Sequence, residues 1–172
     1  GSGNGVAVTP ETIGEGGYKL RVTAVDKAGN SSIAAEHPVT FVIDRTAPTI
    51  AFDTPGHAVP AKSRTSVVTL SDTGGGTVHS ASYLWSNQWL PNDGKDVAGD
   101  SWTAFGALSG GSVTTPADAE DGTWYLYVKA SDSAGNVRYA HTNEGFLLDN
   151  SPPALVIYPN GNEPTDPVRS VQ

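Results

Sequence analysis

Four aspartates at repeated positions could supply oxygen ligands to a calcium ion. Asp26 and Asp132 each begin an Asp-x-Ala-Gly-Asn pentapeptide, and Asp44 and Asp149 each precede a short stretch that ends in proline. Calcium takes roughly six to eight oxygens from carboxylates, carbonyls and amide side chains, and these segments contain all three groups. A cation held at Asp44 or Asp149 would stiffen a junction between domains, so calcium is a candidate cofactor.

The same residues also suit turns that satisfy their own polar groups. Glycine accepts the left-handed backbone of a tight turn, and aspartate and asparagine side chains bond to nearby backbone amides. The spacing does not match an EF-hand loop, so the pattern favours structural turns, with strand-end capping or solvation as the matching explanation for Asp44 and Asp149. The turn residues are Asp26, Gly29 and Asn30 in the first pentapeptide and Asp132, Gly135 and Asn136 in the second.

Tryptophan offers a second chemistry, because an exposed indole ring can stack on a sugar ring. Trp89 is the best surface candidate, since it lies in polar loop sequence, and Trp85 and Trp102 complete the candidate set. Core and loop packing are the competing explanation. Trp124 corresponds to Tyr18 at an inward strand position, and Trp85 suits the centre of a sandwich core.

The sequence gives little support to catalysis. His37, His57, His79 and His141 are isolated from one another, and none has a partner at metal-ligand spacing. There is no Gly-x-Ser-x-Gly elbow, and the absence of cysteine removes thiolate chemistry and disulfides together. The protein is therefore predicted not to be an enzyme.

Composition narrows the partners further. The 172 residues carry a net charge of −8, which makes nucleic acid an unfavourable partner. No apolar run approaches the length of a membrane span, and no signal peptide stands in this stretch.

The chain repeats itself at domain scale. Residues 18–30 match residues 124–136 at an offset of 106 residues, and each match extends to a proline, at Pro48 and at Pro153. Such a period suits whole domains in tandem. The expected organisation is the C-terminal half of a first repeat at 1–46, a complete repeat at 47–151 and the start of a third at 152–172. The chain is then a window from a longer protein.

Strand signals dominate the sequence. Around residues 18–24 and 124–130, apolar and polar residues alternate with period two, as in strands with one buried face. Further strands are predicted at 41–43, 49–53, 65–71, 78–86, 102–105, 112–115 and 146–148. Short strands at this spacing, with no helical period, predict an all-β Greek-key sandwich.

The residues that carry these patterns resemble a known family. The motif Gly-x-Tyr/Trp-x-Leu-x-Val-x-Ala-x-Asp-x-Ala-Gly-Asn, closed by Asp-x-x-x-Pro, resembles bacterial immunoglobulin-like repeats. The second copy is similar to a longer version in surface proteins and polysaccharide-degrading enzymes of soil bacilli, through Tyr83, Trp85, Ser86, Trp102 and Phe105. The resemblance implies an immunoglobulin-like fold and a secreted or cell-surface protein of a Gram-positive-type bacterium. It specifies no ligand, because such repeats occur beside many different modules.

The resulting expectation is a structural repeat: a spacer or stalk, or part of an adhesin or surface layer, whose partners are neighbouring repeats. The alternatives are an accessory carbohydrate-binding module for polysaccharide or cell-wall glycan and a calcium-stiffened adhesin segment. Coplanar exposed tryptophans would favour the first alternative, and clustered carboxylates at the junction the second.

Two physical expectations accompany this interpretation. Proline restricts its own φ angle and the backbone before it, so the linkers at 44–48 and 149–153 should hold successive domains end to end. Residues 1–46 would carry half a sandwich core, which cannot offset chain entropy alone. Another chain or the 152–172 segment is therefore expected to cover the exposed face.

Overall fold

The computed structural model describes residues 13–33, 35–36 and 38–155, and these residues form an all-β structure. Two short 3-10 turns, at Pro91–Gly94 and Gly99–Ser101, interrupt a long loop. The strands are β1 Gly16–Tyr18, β2 Arg21–Val22, β3 Ala35–Glu36, β4 Phe41–Ile43, β5 Thr49–Phe52, β6 His57–Ala61, β7 Thr65–Ser71, β8 Val78–Ser86, β9 Thr103–Ala104, β10 Gly110–Thr114, β11 Gly122–Asp132, β12 Val137–His141 and β13 Phe146–Leu148.

Residues 47–151, here called the main unit, contain two sheets. The smaller sheet has the order β10-β7-β5, and the larger has the order β6-β13-β11-β8-β9, with β12 also paired to β11. All of these pairs are antiparallel except that of β6 with β13, which is parallel. The long strand β11 is central. It pairs with β8 on one side, and on the other side it pairs with β13 along residues 122–124 and with β12 along residues 127–131.

The core lies between these two sheets, an arrangement consistent with a β-sandwich. Strand β7 alternates strictly between exposed and buried residues, as expected when one face of a strand packs inward. Trp85 meets Phe146 edge to face, with ring centroids 5.3 Å apart. The buried cluster consists of Val68, Leu70, Ala81, Trp85, Val113, Leu126, Val128, Ala130 and Phe146.

Most strands lie where the alternation of apolar residues predicts them. Strands β3 and β12 are not among the predicted strands; they lie between the two turns and the strands predicted at 41–43 and 146–148. No strand is predicted at β6 either. Its sequence, His-Ala-Val-Pro-Ala, has no alternating pattern and contains Pro60. Proline is tolerated there because β6 pairs only with β13 and so forms an edge of the sheet.

Residues 13–46, here called the N-terminal hairpin, reproduce the pairing seen in the main unit. Strand β1 pairs with β4 in the same register in which β11 pairs with β13. Strand β2 likewise pairs with β3 in the same register in which β11 pairs with β12. The bridge between Val25 and Ser31 recurs between Ser131 and Val137. The recurring pairs are Gly16–Ile43 with Gly122–Leu148, Tyr18–Phe41 with Trp124–Phe146, and Arg21–Glu36 with Tyr127–His141.

The two copies of this pattern differ in burial. Leu126 and Phe146 are fully buried in the main unit, whereas their counterparts Leu20 and Phe41 are 45% and 46% exposed. The difference has a direct cause: β5, β7 and β10 cover the inner face of the main unit, and no corresponding sheet covers the N-terminal hairpin among the described residues. The segment 156–172, expected as one possible cover, lies outside the described residues.

The inward position of Leu126 generates a stability prediction. Leu126→Ala should lower the free energy of unfolding by about 2–5 kcal/mol, because it leaves a cavity in a closely packed core. Leu108→Ala, the same change at a residue 47% exposed, should cost less than about 1 kcal/mol. Urea unfolding followed by tryptophan emission measures both. Equal costs for the two variants would contradict this account of the core.

Candidate functional site

The most distinctive site lies where the linker after the N-terminal hairpin meets the main unit. The Asn136 side-chain amide donates hydrogen bonds to the backbone carbonyls of Asp44, at 3.1 Å, and Thr46, at 3.5 Å. Pro48, at the end of this linker, is fully buried. The linker is thus held by the turn that follows β11.

That turn is built around the carboxylate of Asp132. Its Oδ1 accepts hydrogen bonds from the backbone N–H groups of Ala134 and Asn136, each at 2.9 Å, and its Oδ2 accepts one from the Asn136 side chain at 2.8 Å. Gly135 has a φ of 94°, a conformation that favours glycine. In this arrangement the polar groups of the turn satisfy one another.

Asp26 forms the same turn in the N-terminal hairpin. It accepts hydrogen bonds from the backbone N–H of Ala28 at 2.9 Å, and from the backbone and side chain of Asn30 at 2.8 Å each. Gly29 has a φ of 90°, close to that of Gly135. The two pentapeptides therefore fold alike, although Asp26 is exposed and Asp132 is buried.

The turn also sets the acidity of Asp132. Burial is the largest single influence and acts to raise the pKa of this carboxyl. The hydrogen bonds from Asn136, Gly135 and Ala134 act in the opposite direction, and together they hold the pKa below its ordinary value. Asp132 is therefore charged at neutral pH, although its side chain is buried.

The linker is also held from the side of the N-terminal hairpin. The Glu15 carboxylate accepts a hydrogen bond from the backbone N–H of Arg45 at 2.8 Å and another from the Thr46 hydroxyl at 2.9 Å. At the far end of the main unit, Asp121 accepts the equivalent bonds from the backbone N–H of Asn150 and the hydroxyl of Ser151. Glu15 and Asp121 are 106 residues apart, which is the offset of the sequence repeat.

Three carboxylates come together at the first junction. One oxygen from each of Asp44, Asp72 and Asp132 lies within 4.8 Å of the other two. Asp44 belongs to the linker, Asp72 follows β7 and Asp132 ends β11, so three separate parts of the chain meet here. Of the predicted calcium ligands, the fold thus joins Asp44 and Asp132 and adds Asp72. This group of oxygen donors could hold a divalent metal ion.

The sequence does not mark Asp72 as a candidate ligand, because its neighbours indicate nothing beyond a turn. It precedes Thr73 and three consecutive glycines, a composition typical of a loop between strands. The remaining predicted ligands lie elsewhere. Asp26 lies in its own turn in the N-terminal hairpin, and Asp149 is exposed at the far linker, where its carboxylate accepts a hydrogen bond from the Ser151 backbone N–H at 3.2 Å.

The predicted sugar-binding tryptophans separate into two groups. Trp85 and Trp102 are each 8% exposed, so neither offers a free ring face; Lys129 covers the Trp102 ring at 4.7 Å. Trp89 is 56% exposed and borders a groove of about 480 Å³ that Tyr125, Asn143 and Glu144 also line. The Trp89 and Tyr125 rings are perpendicular, so they do not form a flat two-ring platform.

No protein-family model matches this chain, and no curated protein matches it with significance. None of the helical segments in the described residues has the length and apolar character needed to cross a membrane.

The lowered pKa of Asp132 predicts a specific acid sensitivity. Its contribution to stability is complete above the unfolded-state pKa of about 4 and is lost as the pH falls through the lower folded-state pKa. In buffer with a chelator, Asp132→Asn should therefore flatten the fall of the urea midpoint between about pH 5 and pH 2. Asp118→Asn, at an exposed aspartate, is the matched control. An unchanged slope in Asp132→Asn would contradict the prediction.

Proposed function

We propose that this chain is a structural segment of tandem immunoglobulin-like repeats in an exported bacterial protein, and that it acts as a non-catalytic spacer or stalk. The partners in this proposal are the neighbouring repeats, and the setting is the surface or the secreted proteins of a Gram-positive-type bacterium. The main unit is the complete Greek-key repeat, 1–46 is the C-terminal half of the repeat before it, and 152–172 begins a third.

The observation that carries the proposal is the fixation of the linker from both sides. Glu15 binds the linker from the N-terminal hairpin, and Asn136 binds it from the main unit. A linker held in this way loses the backbone rotations by which two domains would bend against each other. Reach with few degrees of freedom is what a spacer requires.

The recurrence of structure at the repeat offset supports the tandem organisation. The strand registers, the Asp-x-Ala-Gly-Asn turns and the acid-to-linker hydrogen bonds all occur twice. The Tyr18 hydroxyl donates to the Gly14 carbonyl, and the Trp124 indole N–H donates to the Glu120 carbonyl in the corresponding place, both at 2.9 Å. Local geometry preserved across two copies favours a repeated domain over a chance similarity of sequence.

A distance measurement between the N-terminal hairpin and the main unit tests the proposal. The chain has no cysteine, so spin labels can be attached at Thr23→Cys and Lys62→Cys, two exposed positions. Double electron–electron resonance should give one narrow distance distribution. Asn136→Ala should broaden it, because the side chain that binds the linker is lost.

Asn30→Ala is the matched control for this experiment. Asn30 makes the same hydrogen bond to Asp26 that Asn136 makes to Asp132, and none of its described hydrogen bonds reaches the linker. The control should therefore keep the narrow distribution. A broad distance distribution in the protein that carries the two spin labels, with Asn30 and Asn136 unchanged, would count against a stiff spacer.

A second candidate function is carbohydrate binding, and the groove beside Trp89 is the observation that favours it. An exposed indole next to an amide and a carboxylate, from Asn143 and Glu144, offers both a stacking surface and hydrogen-bonding groups for a sugar. In this alternative the chain is an accessory module that binds polysaccharide or cell-wall glycan.

Titration of tryptophan emission with plant, microbial and cell-wall polysaccharides separates the two candidates. For a spacer, no saturable change is expected with any of them. For the carbohydrate-binding alternative, a saturable change is expected that is lost in Trp89→Ala and kept in Trp102→Phe, because Trp102 is buried.

A further inference from the structure

Two carboxylate oxygens at the junction are buried without a partner. Asp44 Oδ2 and Asp72 Oδ2 each lack solvent contact and accept no hydrogen bond from a described residue, although the other oxygen of each carboxylate accepts one from a backbone N–H in its own turn. Asp44 as a whole is only 9% exposed. A buried anionic oxygen without a partner is unfavourable, and a cation in contact with both atoms would remove this cost.

The negative charges around these two oxygens make a cation at this place still more favourable. Asp132 adds a third negative charge to the group, and none of the ion pairs between described residues involves any of the three aspartates. Like charges at this separation repel one another, and a cation among them would offset that repulsion.

The backbone closes around the carboxylates in a way that only glycine allows. A side chain at Gly74 would overlap the Asp44 carboxylate, and one at Gly76 would overlap Asp44 and lie 2.9 Å from Asp72 Oδ2. A cavity of about 200 Å³, lined by Val42, Asp44, Gly75, Gly76, Ser133 and Ala134, opens beside them. The site is therefore enclosed by backbone on one side and has room for water on another.

From this geometry we propose that Asp44, Asp72 and Asp132 together bind one calcium ion at the junction between the N-terminal hairpin and the main unit. The donors are all oxygens, with no histidine or cysteine, which selects a hard cation. Calcium accepts irregular oxygen shells, and water in the adjoining cavity can complete them, whereas magnesium demands a nearly regular octahedron.

The ion would join two parts of the chain that are otherwise held mainly by neutral hydrogen bonds. Asp44 comes from the linker, while Asp72 and Asp132 belong to the main unit. Calcium would thus make the stiffness of the spacer depend on the calcium concentration outside the cell. This mechanical consequence rests on the proposed function, whereas binding of the ion does not.

Calorimetric titration of the chelator-treated 172-residue chain with calcium chloride tests the site. One ion should bind, with a dissociation constant between about 10⁻⁵ and 10⁻³ M, and the thermal midpoint of unfolding should rise. Asp72→Asn should weaken binding about tenfold or more, since it removes one of three ligand charges. It leaves the hydrogen bonds of the Asp132 turn in place, and near-native tryptophan emission checks that the variant folds.

Asp149→Asn is the matched control. Its carboxylate makes the same bond to the backbone two residues later that Asp44 makes to Thr46, but it is exposed and has no carboxylate cluster among the described residues. Its affinity for calcium should be unchanged. Absence of binding at 10 mM calcium, about tenfold above the weakest expected constant, would overturn the inference. So would binding unaffected by Asp72→Asn, or an equal response to magnesium.

The spin-label experiment separates this inference from the proposed function. A narrow distance distribution with no calcium binding would leave the spacer standing and remove the cation site. Calcium binding with a distribution that stays broad would keep the site and remove the stiff spacer. The inference as a whole expects a distribution that narrows further when calcium is added, and that needs about tenfold more calcium to do so in Asp72→Asn.

Discussion

The hydrogen bonds of the Asp132 turn are the interaction on which the junction depends. One carboxylate gathers three N–H groups, which fixes the turn and directs the Asn136 amide toward the linker. The Asn136 side chain therefore bonds to Asp132 within its own turn and also binds the linker that follows the N-terminal hairpin. A turn that only reversed the chain would not need both functions.

This arrangement explains why the same pentapeptide has different surroundings in its two copies. Asp26 and Asp132 make matching hydrogen bonds, but among the described residues only Asp132 lies beside a linker and a second loop that bring further carboxylates. The local sequence encodes the turn, and the position of the turn in the chain decides what it contacts. The candidate cation site is thus a property of the junction, not of the motif.

The core follows the same rule: in the main unit and in the N-terminal hairpin, local sequence sets how the strands pair, and position in the chain sets whether they are buried. Their strands pair in the same registers, because register follows from alternation and from the turn. Their inner faces differ in exposure, since in the described part of the chain only the main unit has a second sheet to cover them. Strand pairing therefore persists in the hairpin without the burial that accompanies it in the main unit.

The sequence by itself determined the strands with clear alternation, the two turns and the candidate aspartates at the linkers. Each of these depends on residues close together in the chain, where periodicity and turn chemistry act directly. It did not identify β6, whose pairing comes from a parallel neighbour more than 80 residues away. It favoured an exposed position for Trp89 and a core position for Trp85, as observed, but it identified neither Asp72 nor the burial of Trp102. Only tertiary structure decided these points, because burial and ligand geometry depend on segments that are distant in sequence and meet when the sheets pack.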